Sequence, residues 1–168
     1  MKPLRLGVDT NVLLDLADGV EAVADAFAVL AQRLPSSDVF VVPSVLDELA
    51  FLYESGDTAL VRQLAWRALQ LLREQKHGLR PLLELTCPPA LVEQVALELR
   101  SQDLLPQQEV HDSLILAEAA LVGCALFLSS DEHLRGVDHE RLTLVLNRFD
   151  LVPPVIASPR EIVYKFFR

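Results

Sequence analysis

The chain is short of cysteine, of aromatic residues, of positive charge and of long apolar runs, and each shortage closes off a class of protein. Only Cys87 and Cys124 occur, both in apolar surroundings. That excludes a disulfide framework and a cysteine-rich zinc site, and it points to a reducing compartment. Both are expected in the core. Aromatic residues make up only 6% of the chain, so its core has to be built from Leu, Val and Ala. Fifteen Lys and Arg stand against 24 Asp and Glu, a net charge of −9. Such a chain does not bind nucleic acid through bulk positive charge. No apolar stretch reaches the roughly 18 residues that span a bilayer; Leu114 to Leu128 is interrupted by Glu118 and Gly123. The segment Met1 to Asp9 lacks the apolar region of a secretory signal. The expected location is therefore cytoplasmic.

What is present is a chain of 168 residues, 51% hydrophobic and 23% charged, which excludes intrinsic disorder. This length is expected to form a single domain over residues 1–168. Leu4, Leu6 and Val8 read as a strand running into Asp9, after which Thr10 to Leu16 takes helical spacing. Gly19 breaks the chain, and Val20 to Leu34 follows as an amphipathic helix. Val39 to Val42 is a second strand, closed by Pro43, with Ser44 expected to cap the next helix and Asp47 to reciprocate. A long helix is expected over Thr58 to Lys76, ended by Gly78 in a left-handed turn. Leu82 to Thr86 reads as a strand and Pro89 to Gln102 as a helix. A further helix covers Gln108 to Val122, stopped by Gly123. Ala125 to Leu128, Thr143 to Leu146 and Val155-Ile156 read as strands, and Ser158-Pro159 opens the last helix. Alternation of helices with short apolar strands predicts a parallel sheet covered on both faces.

Charge is unevenly distributed. Residues 1–57 carry −7 and residues 84–132 carry −8, whereas 58–83 carry +4 and 133–168 carry +2. Arg62, Trp66, Arg73, Lys76 and Arg80 recur at helical steps in the basic segment. They fit a solvated face, a set of phosphate contacts with an aromatic platform for a base, or a dock for an acidic partner.

Four acids stand where chemistry is done. Asp9 and Asp131 each follow an apolar strand, at the carboxyl edge where parallel sheets place their ligands. Asp9 alone is equally well read as a helix cap. Glu48 lies in the first turn of its helix, which the helix dipole favours by about 0.3–1 kcal/mol, yet Asp47 is the better capping residue. Asp112 lies on the same stripe as Ile115, Leu116 and Ala119. An unpaired carboxylate facing a core is costly, and no Lys or Arg is near in sequence to pair it. Brought together, four such acids repel one another unless a cation is shared. Hard oxygen donors suit Mg²⁺ or Mn²⁺, which activate a water and stabilise both oxygens of a phosphoryl displacement. His111 adjoins Asp112, but neighbouring helix positions point about 100° apart, which argues against a catalytic part.

Asp9-Thr10-Asn11-Val12-Leu13-Leu14-Asp15 resembles the opening of PIN-domain ribonucleases, a group that includes the VapC-type toxins of toxin–antitoxin pairs. Pro43-Ser44-Val45-Leu46-Asp47-Glu48-Leu49 is similar to the family's second segment, His111-Asp112-Ser113-Leu114-Ile115-Leu116-Ala117-Glu118-Ala119 to its third, and Leu126-Phe127-Leu128-Ser129-Ser130-Asp131 to its fourth. The four matched acids are 39, 64 and 19 residues apart, and the resemblance spans nearly the whole chain in order. It implies a three-layer α/β/α fold around a parallel sheet of about five strands. It also implies metal-dependent cleavage of RNA that leaves a 5′-phosphate, with Asp9, Glu48, Asp112 and Asp131 as catalytic residues and metal ligands. Asn11 and Ser129 would orient Asp9 and Asp131. An RNA substrate, an antitoxin partner and, from the Leu and Ala content, a homodimer are expected. Two other readings stay open: a binding or scaffold module of this fold without catalysis, and a small phosphatase with Asp9 as nucleophile. The second lacks the usual Asp two residues on, where Asn11 stands.

Overall fold

In a computed structural model of the chain, residues 2–166 are described; Met1, Phe167 and Arg168 of the expected 1–168 unit lie outside them. Five short strands form one sheet: β1 (Arg5–Val8), β2 (Asp38–Val41), β3 (Leu79–Pro81), β4 (Leu126–Leu128) and β5 (Val155–Ala157). Their order is β3-β2-β1-β4-β5, and every neighbouring pair is parallel. Helices cover both faces: α1 (Thr10–Ala17), α2 (Glu21–Arg33), α3 (Pro43–Ser55), α4 (Ala59–Arg73), α5 (Pro89–Ser101), α6 (Val110–Val122), α7 (Glu132–Arg135), α8 (His139–Asn147) and α9 (Pro159–Phe166). This is the expected three-layer α/β/α architecture. Strands buried on both faces require continuous apolar runs, and Leu6, Val8, Val39, Val41, Phe127 and Leu128 supply them. As the composition demands, Phe27 and Phe127 are the only aromatic residues among the buried hydrophobics described.

The strand order reverses at β1. From there the chain moves outward to β2 and β3, then returns to place β4 on the other side. The carboxyl ends of β1 and β4 therefore flank a topological switch point, where open parallel sheets form their ligand crevice. Gly7 allows these two strands to pack closely, since a Cβ there would meet the Phe127 ring at 2.8 Å and the Cys124 sulfur at 3.2 Å. The pairing runs on past the strands, with the Asp9 amide donating to the Leu128 carbonyl at 2.9 Å. Asp9 is thereby held beside Ser129.

Four expectations are corrected. The strand expected at Leu82–Thr86 lies earlier, at Leu79–Pro81, where Val39, Phe40 and Val41 of β2 provide the ladder. Thr143–Leu146 is not a strand but part of α8. Leu142, Val145 and Leu146 are buried at helical steps and Asp138 caps the helix, and these outweigh the β-branched residues. α4 ends at Arg73, because Gln75 (φ 51°) and His77 (φ 57°) leave the helical region before Gly78 (φ 73°) is reached. Finally, Ser44 does not cap α3: the helix begins at Pro43, with Val42 as a cap that has no polar side chain.

Candidate active site

Asp9 is placed by β1 and anchored on both oxygens. Its side chain caps α1, with Oδ1 accepting from the Thr10 amide at 2.8 Å, while Oδ2 accepts from the Ser129 hydroxyl at 2.8 Å. Cap and site residue, the two readings of Asp9, are thus served by different oxygens of one carboxyl. Only 4% of Asp9 is exposed. Burial pushes its carboxyl above the ordinary range, opposed by these two bonds and reinforced by the charges of Glu48 and Asp131. Asp131 follows β4 and caps the short α7, accepting from the His133 and Leu134 amides. Its own amide donates to the Ser129 hydroxyl at 3.0 Å. A single hydroxyl therefore links Asp9 and Asp131. Asn11, expected to share this task, is exposed, and among the described residues no hydrogen bond joins it to Asp9. The Thr10 amide stands in that place instead.

Glu48 approaches from the second turn of α3. Its Oε2 accepts from the Thr10 hydroxyl at 2.5 Å and meets Nε2 of His111 at 3.0 Å. Burial alone would raise the Glu48 carboxyl, but the bonds from His111 and Thr10, with the charge of His111, hold it below its ordinary value. In return the hydrogen bond to Glu48 raises His111, against the effect of burial. The imidazole is thus a partner of the acid cluster, which the angle between adjacent helix positions did not suggest.

Asp112 is the exception among the four. Among the described residues no hydrogen bond or ion pair reaches its carboxylate. It is pushed up to about 7, first by burial, then by the charges of Asp131, Asp9 and Glu109. Asp112 is thus coupled to Asp131 and Asp9, and Asp9 in turn to Glu48 and Asp131.

Sequence reasoning missed Glu118. It is 4% exposed on α6, and its two carboxylate oxygens accept from the Ser44 amide at 3.1 and 3.3 Å. It therefore supplies from 74 residues away the cap that Val42 cannot give. The signal was a lone acid inside an apolar helix. Thr10 was also missed, because Thr beside a strand-end Asp reads as an ordinary helix start.

The basic residues expected to act together are dispersed. Arg80 sits on β3, paired with Asp38 at 2.6 Å, and Lys76 lies beyond the end of α4, paired with Glu74 at 3.0 Å. Arg62 donates to the Gly56 carbonyl at 2.5 Å and shares a cleft with Trp66, whose ring lies 5.4 Å from that of Tyr53. Arg73 is exposed in the last turn of α4.

The donor chemistry fits a hard divalent cation: four carboxylates, one of them without a partner among the described residues and raised by burial and then by its neighbours. The ligand geometry is not pre-assembled. Among the described residues no three His, Cys, Asp or Glu side chains are set to hold one ion, and Glu48 is turned toward Thr10 and His111.

A parallel sheet with strand-end acids converging at its switch point defines an α/β protein of the acid-cluster type. The PIN domain family model matches residues 7–140, and the chain belongs to that family. Its structure is similar to a chain of VapBC2 from Rickettsia felis, solved bound to a DNA fragment from the promoter of those proteins. The TM-score is 0.60 at 12% identity, covering 92% of this chain and 98% of that one. A comparison with curated proteins finds no match. No helix among the described residues is long and apolar enough to cross a membrane.

Proposed function

We propose that this protein is a divalent-metal-dependent endoribonuclease acting as the toxin of a toxin–antitoxin pair. The observation that carries the reading is the convergence of Asp9, Glu48, Asp112 and Asp131 at one sheet edge, with Asp112 lacking a partner among the described residues. Family membership supports nuclease chemistry, and the likeness to a VapBC2 chain supports an antitoxin partner. Asp9, Glu48, Asp112 and Asp131 would hold Mg²⁺ or Mn²⁺, which when bound would supply activation of a water and stabilisation of charge at the phosphorus. The chain's own residues prepare that site. Ser129 and the Thr10 amide fix the orientation of Asp9, the Asp131 amide is tied to the same hydroxyl, and His111 with Thr10 keeps Glu48 ionised. Glu118 anchors the helix that carries Glu48. The reading includes a cytoplasmic location and a homodimer, since Phe51, Leu60 and Trp66 remain exposed on α3 and α4.

The test is release of 5′-phosphate ends from a mixed RNA pool with Mg²⁺ or Mn²⁺. Asp9→Asn or Asp131→Asn should each slow cleavage by more than roughly a hundredfold while the melting temperature is retained. Loss of a group that merely orients a metal ligand already costs about 10–100-fold. Asp47→Asn, on the exposed face of α3, should be neutral. Cleavage that survives replacement of all four acids would refute the reading, and a wild type inert toward every RNA would favour the binding-module alternative.

A further inference from the structure

A cleft of about 710 Å³ is not centred on the four acids but opens beside them. Ser130 lines it, between Ser129, which bonds Asp9, and Asp131. The opposite wall is α9, which follows β5 and lies at the same carboxyl edge of the sheet. Its volume falls within the roughly 300–1,000 Å³ of clefts that hold organic ligands and exceeds what a lone ion needs.

The lining is basic in a chain of net charge −9. Arg160 and Lys165 of α9 and Arg135 of α7 contribute three cations, against Asp15 and Glu161. Glu161 accepts from the Ser158 amide at 2.8 Å and pairs with Arg135 at 3.2 Å, so these two charges offset each other and leave Arg160 and Lys165 against Asp15. Asp15 is partly buried on α1. Arg160 and Lys165 are exposed, and Tyr164, one turn after Arg160, is 61% exposed. Cations that track a backbone, set beside an aromatic face for a base, are the two parts of a single-strand site.

We propose that this cleft is a subsite for single-stranded RNA, holding the nucleotides next to the phosphodiester that lies at the acids. Arg160 and Lys165 take phosphates and Tyr164 stacks a base. The inference rests on the nuclease reading. An RNA strand crossing the acid cluster has to leave it along a neighbouring surface, and this cleft begins one residue from Asp131. An acidic peptide would satisfy the cations, but nothing would tie it to the phosphodiester site.

The experiment measures binding of a labelled single-stranded RNA oligonucleotide to the full chain in EDTA over a salt series, where cleavage is blocked. Arg160→Gln with Lys165→Gln should weaken binding roughly tenfold and lower the log–log salt slope by about 1.4, at about 0.7 for each lost contact. Tyr164→Ala should weaken it roughly five- to a hundredfold, and Tyr164→Phe should restore it, which separates stacking from a folding defect. As a control, Arg62→Gln with Arg73→Gln and Lys76→Gln on and beyond α4 should move the slope less than the α9 pair. If the wild type cleaves RNA and the α9 variants bind it normally, the cleft inference falls and the nuclease reading stands. If the wild type neither binds nor cleaves RNA, both fall. Variants that lose only an acidic peptide ligand would mark the cleft as a protein dock and overturn the RNA assignment.

Discussion

The acid pocket has two unlike halves. On one side Asp9 is deeply buried and Glu48 half-buried, and both are hydrogen-bonded, with the Thr10 amide and hydroxyl, Ser129 and His111 as partners. Behind them Glu118 is as buried as Asp9 and is satisfied by the Ser44 amide. On the other side Asp112 is only partly buried, has no partner among the described residues, and titrates near 7. Glu48 and Asp112 are both half-buried, yet hydrogen-bond donors hold the Glu48 carboxyl down, whereas that of Asp112 is raised first by burial and then by neighbouring charges. The engaged half is a scaffold that is complete without metal. Under the proposed function, the unengaged half is where a cation would gain most by arriving.

Removing Asp112's charge should have the largest effect on the folded state. In the metal-free protein its carboxyl is raised from 3.8 to about 7, so the native state holds a proton that the unfolded chain has released. Between these values stability falls as pH rises, and the loss is complete above about pH 7. The shift alone corresponds to about 4 kcal/mol, reduced to roughly 2 because solvent reaches the carboxyl. Asp112→Asn should therefore raise the metal-free melting temperature at pH 8 by roughly 4–8 °C and flatten its decline between pH 4 and 7. It should also abolish the stabilisation by Mg²⁺ or Mn²⁺ expected of the wild type. If the metal response persists unchanged, Asp112 does not belong to the metal site, and the contrast between the halves has no functional meaning.

Breaking the engaged half should change stability by a comparable amount in the opposite direction and leave a clearer signature in catalysis. Ser129→Ala removes the donor to a carboxylate that is 4% exposed, at a cost of about 1.5–3 kcal/mol for a bond to a charged group. It also unties the Asp131 amide. RNA cleavage should fall by roughly 10–100-fold through kcat, and Ser129→Thr, which keeps the hydroxyl, should restore most of it. Equal losses in the Ala and Thr variants would show that packing, not the hydroxyl, is what Ser129 supplies.

The two halves were also unequally legible in the sequence. Asp9, Asp112 and Asp131 were readable because strand ends and helical stripes are local patterns, and Asp112's lack of a sequence neighbour of opposite charge matches its unpaired state in the fold. Of the partners in the pocket only Ser129 was anticipated, through the family resemblance; the others were not readable, because each bond crosses a large separation. Ser129 reaches Asp9 across 120 residues, His111 reaches Glu48 across 63, and Ser44 meets Glu118 across 74. The misplaced elements share a cause. Thr143 and Val145 favour a strand by local preference, yet burial of Leu142, Val145 and Leu146 on one helical face decides the outcome. At α4, backbone geometry at Gln75 and His77 detaches Lys76 and Arg80 from a stripe that spacing alone had joined.

The smallest expected effect concerns Glu118. The Ser44 amide is one of the donors that the first turn of α3 cannot satisfy from within the helix, and a negative charge there also meets the positive end of the helix dipole. Burial raises the Glu118 carboxyl, the Ser44 bonds oppose this, and the charge of Asp47 adds to it. Glu118→Gln keeps an acceptor oxygen and removes a desolvated charge, so the gain and the lost dipole term offset each other, and stability should stay within about 0.5 kcal/mol of the wild type. Glu118→Leu leaves the amide without a partner in a buried setting and should cost about 1–3 kcal/mol. If Glu118 acts on function only by seating α3, cleavage by the Gln variant should match the wild type. The Leu variant should then be slowed in proportion to the displacement of Glu48, with no change in metal affinity beyond it. A Gln variant that folds normally but no longer responds to Mg²⁺ or Mn²⁺ would show that the charge itself matters. Glu118 would then belong with Asp112 as part of the ion-binding set, and the boundary between the two halves would have to be redrawn.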